Sequence, residues 1–320
     1  MPLTFDMPME QLRTYQGRNP RPDDFDEFWD RSLAEMDALD PQLELRPAAF
    51  QVPCAECFDM YFTGVGGARV HAQLVRPKQA AEPHPAVLIF HGYSGSAGQW
   101  HEKLQYAAMG FTAAALDCRG QGGQSEDVGG VLGNTLHGHI IRGLDGPAEK
   151  MLFRQIFLDT ALMAKLVMGL PGVDAERVGV TGGSQGGGLT LACASLVPQI
   201  KRVAPMFPFL SDYQRVWEMD QAQRAYAELK EYFRMFDPLH EREKEIFTKL
   251  GYVDIQHLVK RIGGEVFMGM GLMDTVCPPS TQFAAYNKIT APKSLAIYPD
   301  YGHENLPGYH DRTLQFMAKL

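Results

Sequence analysis

One serine in this chain sits among five glycines. Residues 177–196 read Arg-Val-Gly-Val-Thr-Gly-Gly-Ser-Gln-Gly-Gly-Gly-Leu-Thr-Leu-Ala-Cys-Ala-Ser-Leu. Within this stretch Gly182-Gly183-Ser184-Gln185-Gly186 is a G-x-S-x-G element, placed between a β-branched run and an Ala/Leu run. Such a serine either closes a tight turn or does chemistry. A strand before it and a helix after it are what a nucleophile elbow requires, because the sharp turn lifts the hydroxyl clear of the sheet. Gly182 and Gly186 must then lack side chains, or they would collide with neighbouring backbone. The amide of Gln185 opens the helix and points where an oxyanion would form, at a terminus that favours negative charge.

A nucleophilic serine needs a base, and the base needs an orienting acid. In α/β-hydrolases the order along the chain is Ser, acid, His. Asp274 follows the strand expected at 265–270, and His303 follows the strand expected at 294–298. Of the ten histidines, His303 stands in the required position, whereas His310 falls in the last helix. The second oxyanion donor is expected from the loop His91-Gly92-Tyr93-Ser94-Gly95, after the strand at 85–90. The Tyr93 amide is the candidate, with Gly92 allowing close approach. The Tyr93 ring either narrows the acyl pocket or simply packs on the loop.

Other clusters are weaker. Arg119-Gly120-Gln121-Gly122-Gly123 lacks the G-x-x-x-x-G-K-[ST] pattern of a phosphate loop, so Arg119 and Gln121 are expected to support the site structurally. His137-Gly138-His139 has no metal-binding partner at helical spacing, and no H-E-x-x-H occurs. No metal and no cofactor is expected.

The elements that must position these residues alternate along the chain. Residues 20–38 place Phe25, Phe28, Trp29, Leu33 and Met36 at helical spacing, and predict an amphipathic N-terminal helix. Strands are predicted around 57–63, 69–76, 85–90, 111–116, 177–181, 200–207, 265–270 and 294–298. Helices are predicted around 99–109, 148–169, 186–197 and 280–288, with one more at the end. This rhythm implies βαβ units and a mostly parallel sheet covered by helices on both faces. Residues 212–258 interrupt it with Trp217, Tyr226, Tyr232, Phe233, Met235, Phe236 and Phe247. They read as a helical insertion capping the sheet's C-terminal edge, within one α/β-hydrolase domain spanning 1–320.

Bulk properties exclude several classes. A net charge of −8 without a Lys/Arg cluster argues against nucleic-acid binding. No apolar run approaches the roughly 18 residues of a membrane span. The opening MPLTFDMPMEQLRTYQ lacks the basic start and apolar core of a secretory signal. Five cysteines with a single C-x-x-C, Cys54 and Cys57, fit a reduced, cytoplasmic protein.

The segments HGYSG, DCRGQGGQSED, GGSQGGG, GLMDTVCPPST and YGHE, in this order, resemble the acetyl xylan esterase/cephalosporin-C deacetylase group, carbohydrate esterase family 7. The resemblance extends to FDMPMEQL and NPRPDDFDEFW at the N-terminus. It implies Ser184 as nucleophile, Asp274 and His303 as its partners, and the Tyr93 and Gln185 amides as oxyanion hole. It further implies deacetylation of small acetylated substrates, short xylo-oligosaccharides and cephalosporin C, by a homo-hexamer. Arg224-Ala225 stands where the resemblance implies His-Pro, and Lys150-Met151-Leu152-Phe153-Arg154 replaces a tyrosine-rich run. The first departure leaves the alcohol-side preference open. Two rival readings remain: the same triad acting on another ester, thioester or peptide, and a hydrolase fold kept as a non-catalytic binding module.

Overall fold

Strand-forming residues of the chain meet in one nine-stranded sheet, seen in a computed structural model that describes residues 6–128 and 136–320. The strands are β1 (Glu44–Pro47), β2 (Ala55–Thr63), β3 (Arg69–Pro77), β4 (His84–Phe90), β5 (Thr112–Leu116), β6 (Val173–Gly183), β7 (Arg202–Met206), β8 (Glu265–Gly271) and β9 (Lys293–Tyr298). Their spatial order is β1-β2-β3-β5-β4-β6-β7-β8-β9. The first three pair antiparallel, and β5 also runs antiparallel to β3. From β5 through β4 to β9 every pair is parallel. Burial follows from this. The parallel β5, Thr-Ala-Ala-Ala-Leu, is buried at every position, whereas β2 alternates between buried and half-buried residues. This is the α/β-hydrolase fold that the alternation implied.

The helices are α1 (Met9–Leu12), α2 (Phe25–Asp37), α3 (Leu104–Ala108), α4 (Leu152–Met168), α5 (Gln185–Leu196), α6 (Tyr213–Glu218), α7 (Ala227–Phe236), α8 (Glu243–Leu250), α9 (Ile255–Leu258), α10 (Pro279–Lys288) and α11 (Tyr309–Met317). Helices α4, α5 and α10 contribute Phe153, Phe157, Leu189 and Phe283 to one core cluster. On the other side α3 and α11 contribute Tyr106, Tyr309 and Phe316 to a second. Helix α2 lies outside α4: the Trp29 ring stacks on Phe157 at 5.9 Å, and Trp29 Nε1 donates to Tyr252 O at 2.9 Å. The segment between β7 and β8 holds α6 to α9. No helix among the described residues is long and apolar enough to cross a membrane.

Some elements differ from the sequence expectation. The helix expected at 99–109 is a 3-10 turn (Trp100–Lys103) running into the short α3. Strand β1 has no alternating pattern because Glu-Leu-Arg-Pro lies at an edge, where polar residues and proline are tolerated. Strand β6 begins four residues earlier than expected, since His84 pairs with Val173 before the register shifts.

Strand order reverses at β4. The chain leaves β4 for β5 on one side, and later returns to β6 on the other. Loops following β4 and β6 therefore diverge above the C-terminal edge, where open α/β sheets form their binding crevice. Residues 91–95 and Ser184 lie on those two loops.

Candidate active site

Ser184 joins β6 to α5 with φ 58° and ψ −121°, a backbone conformation that side-chain-bearing residues rarely adopt. Its surroundings hold it there. The Ser184 amide donates to Met206 O at 3.0 Å, and Ser184 O accepts from the amides of Gly188 and Phe209, both at 3.0 Å. A Cβ on Gly182 would come within 2.5 Å of Phe90 O, and one on Gly186 within 2.0 Å of the same oxygen. Both glycines are required by packing, as the motif implied.

Two residues far from Ser184 in sequence line up behind its hydroxyl. His303 Nε2 lies 2.9 Å from Ser184 Oγ, and His303 Nδ1 lies 2.9 Å from Asp274 Oδ2. Asp274 is fully buried. Its Oδ1 accepts the amides of Val276 (2.9 Å) and Cys277 (2.8 Å), and Gln282 Nε2 approaches Oδ2 at 3.4 Å. A carboxylate fixed in this way keeps the proton on Nδ1 and leaves the Nε2 lone pair facing the hydroxyl. The Phe207 ring packs on the imidazole with centroids 4.4 Å apart.

A second histidine holds the loop after β4. Cys118 N–H donates to His91 Nε2 at 3.0 Å, so the His91 proton resides on Nδ1 and is donated to Gly92 O at 2.7 Å. Burial pulls the His91 pKa down, which favours this neutral form. The amide of Gly95 also donates to Gly92 O, at 3.0 Å. Because N–H and C=O point oppositely across a trans peptide, pinning Gly92 O turns the Tyr93 amide the other way.

Gln121 and Arg119 serve different parts of the scaffold. Gln121 Oε1 accepts the Ser94 amide at 2.9 Å, and its side chain pairs with that of Gln185 at 3.0 Å. The oxyanion loop is thereby tied to the elbow. Arg119 grips Asp159 on α4 through Nε (2.6 Å) and Nη2 (2.5 Å), and donates to Val65 O at 2.8 Å. Burial pushes the Asp159 carboxyl up, although the Arg119 charge opposes it.

The Tyr93 ring is packed between His139 (4.8 Å) and Phe209 (5.8 Å), and its hydroxyl accepts the His139 amide at 3.3 Å. Phe209 in turn packs on Tyr226 at 4.3 Å. Arg224 and Ala225, the departure from His-Pro, lie in the 3-10 turn that delivers Tyr226 to this aromatic stack. His137 is engaged by Glu231 Oε2 at 2.7 Å, not by His139.

Among the described residues, Asp274, Cys277 and His303 form the one cluster whose donor atoms could surround a metal ion. Its chemistry does not fit that use. Burial holds the Cys277 thiol well above its ordinary pKa, which disfavours the ligating thiolate. Asp274 and His303 are already bonded to one another.

Sequence reasoning did not reach Gln282, Phe207 or Glu228. Gln282 lies one helical turn into α10, at a position a buried apolar residue could equally occupy. Phe207 has a positive φ of 33°, which no local motif announces.

Comparison with known proteins agrees with this architecture. A family model for acetyl xylan esterases matches residues 1–320. The crystal structure of acetyl xylan esterase 1 from Thermoanaerobacterium sp. JW/SL YS485 is 60% identical, with a TM-score of 0.95 over 98% of this chain and 99% of that one. The acetyl xylan esterase from Paenibacillus sp. R4 is 36% identical, with a TM-score of 0.91 over 98% and 99%. Acetyl esterase Axe7A of Xylanibacter ruminicola is 28% identical over 309 residues, covering 92% of this chain. The matched region spans 65% of that relative's length.

Proposed function

Since the chain belongs to the acetyl xylan esterase family, whose members are carboxylic ester hydrolases, we propose that it removes acetyl groups from acetylated xylo-oligosaccharides. The observation that carries the reading is the unbroken line from Asp274 through His303 to Ser184, with both contacts at 2.9 Å.

His303 takes the Ser184 proton as Oγ attacks the acetyl carbonyl, and the oxygen becomes an oxyanion facing the Tyr93 and Gln185 amides. Asp274 stabilises the imidazolium that forms. His303 then gives its proton to the departing sugar alkoxide, leaving an acetyl ester on Ser184. Water, deprotonated by His303, attacks that ester, and acetate leaves as Ser184 regains its proton. Cephalosporin C is a second proposed substrate, since its acetyl ester needs the same steps. The resemblance also carries the proposal of a homo-hexamer, which sedimentation would test; a monomer would remove it.

The Tyr93 ring, wedged between His139 and Phe209, supports a role as the wall that limits acyl length. One extra methylene in a pocket changes binding by only about 1–3 kcal/mol, so strong selection for acetate needs a packed wall. Residues 212–258 are proposed to act as an insertion backing that wall within a single hydrolase domain.

The test is hydrolysis of p-nitrophenyl acetate, p-nitrophenyl butyrate, acetylated xylo-oligosaccharides and cephalosporin C by wild type, Ser184→Ala and Tyr93→Ala. The expected pattern is acetate-selective turnover lost in Ser184→Ala and relaxed toward butyrate in Tyr93→Ala. Turnover of butyrate as fast as acetate by wild type, with no acetate released from the oligosaccharides, would move the substrate elsewhere.

A further inference from the structure

Glu228 is a buried acid that the proposed mechanism does not use. Glu228 lies in the first turn of α7 and is fully buried. Among the described residues no Lys or Arg forms an ion pair with it; His137 Nδ1 lies 3.9 Å from Oε1, and His137 Nε2 is bound to Glu231. What the carboxylate meets instead is backbone. Oε2 accepts the amide of Ile140 at 2.7 Å and that of Ile141 at 3.3 Å. Two successive N–H groups turned toward one oxygen form a small anion-binding concavity, and Glu228 fills it from another element.

The loop gathered in this way is the one that touches the oxyanion side. His139 donates its amide to Tyr93 Oη, and its ring packs on the Tyr93 ring. Ser94 Oγ donates to Leu136 O at 2.8 Å and lies 3.1 Å from His139 Nε2. Residues 93 and 94 are those whose amides face the reacting carbonyl and Gln121 respectively. A path of direct contacts therefore runs from α7, through residues 138–141, to the oxyanion loop.

We propose that Glu228 is a positioning residue for ester hydrolysis: its carboxylate holds the amides of Ile140 and Ile141 and so sets residues 138–141 against Tyr93 and Ser94. The inference rests on the esterase reading and extends it to a residue outside the triad. Its cost is visible. Burial raises the Glu228 pKa to about 7, and the backbone hydrogen bonds recover only part of the loss. An ionised carboxylate held there opposes folding at alkaline pH.

Stability and activity should therefore separate. In Glu228→Gln, measured at pH 8.5, the midpoint of thermal unfolding is expected at or above wild type. Its kcat for p-nitrophenyl acetate should fall about tenfold with KM nearly unchanged, because oriented donors act on the transition state. Wild-type kcat should also fall as pH drops through about 7, and the glutamine variant should lack that component. Hydrogen exchange at the amides of Ile140 and Ile141 should be slow in wild type and faster in Glu228→Gln. Glu228→Asp should partly restore kcat, and Glu231→Gln, which removes only the partner of His137, should leave it unchanged. Wild-type kcat and pH profile in Glu228→Gln would overturn the proposal. So would a loss of kcat explained by a smaller folded fraction, or unaltered exchange. Absence of Ser184-dependent turnover in wild type would instead overturn the esterase reading, while exchange would still test the gathering of the loop.

Discussion

Two histidines in this molecule are held by aspartates, and they do opposite things. His303 meets Asp274 through Nδ1 and the Ser184 hydroxyl through Nε2. His71, on β3, meets Asp117 Oδ2 through Nδ1 at 2.6 Å and Asp59 Oδ1 through Nε2 at 3.0 Å. Carboxylates on both ring nitrogens require both to carry protons, so His71 is an imidazolium with no lone pair to offer. Burial pulls its pKa down, but the hydrogen bonds and charges of Asp117 and Asp59 outweigh this and raise it overall. A His–Asp pair does not by itself make a base. What the second nitrogen faces decides between a clamp and a catalyst.

The clamp has its own task. Asp117 also accepts the amides of Ala97 (2.6 Å) and Gln124 (2.9 Å), joining the loop after β4 to the loop after β5. These are the loops that carry residues 91–95 and Arg119-Gly120-Gln121. His71 therefore acts on the scaffold beneath the site, and His303, in the proposed reaction, on the reacting atoms.

The sharpest test of the contrast is deletion of each histidine. His303→Ala should lose about 10⁶ in kcat, as removal of a catalytic histidine does elsewhere, with its unfolding midpoint close to wild type. Asp274→Asn should lose about 10⁴ in kcat, because the amide favours the wrong tautomer of His303. His71→Asn should behave in reverse. It strands two carboxylates, one of them buried, and should cost about 3–5 kcal/mol in denaturant-monitored stability. Its kcat per titrated active site should stay within a few-fold of wild type. A His71 variant that keeps its stability but loses turnover would erase the distinction.

A smaller effect sharpens the same comparison through pH. His71 has a raised folded-state pKa, so its contribution is fully present below the ordinary value of 6.5 and is lost as pH rises through the folded value. Asp117 is affected most by burial, which raises its pKa. The bonds from His71 and the two amides outweigh burial, and the net shift is downward. Its contribution is present above the ordinary 3.8 and disappears as pH falls through the folded value. The stability gap between wild type and His71→Asn should thus be widest between about pH 4 and 6.5, and narrow toward alkaline pH. Urea titrations across that range would show it; a gap that widens above pH 8 would contradict the charged clamp.

The same contrast explains what the sequence reveals. Ser184, Asp274 and His303 are legible because each sits at a strand end, and their chain order is fixed by the sheet. Gly182 and Gly186 are legible because a sharp turn leaves no room for a Cβ. The clamp is not legible: an inward histidine in an alternating strand shows burial, but Asp117 lies 46 residues away and nothing local names it. Glu228 is hidden for the same reason, since its partner amides carry no side-chain signature and the Ile140 contact spans 88 residues. Strand β1 and helix α1 are four residues each, too short for a period to emerge.

The proposed mechanism requires Ser184 Oγ to carry the acetyl group. Acid-quenched enzyme mixed with p-nitrophenyl acetate, digested and read by mass spectrometry, addresses this directly. The account predicts one acetyl group on the peptide bearing Ser184, formed with the p-nitrophenol burst and absent from Ser184→Ala. Undiminished turnover by Ser184→Ala, or an acetyl adduct located on another residue, would contradict it.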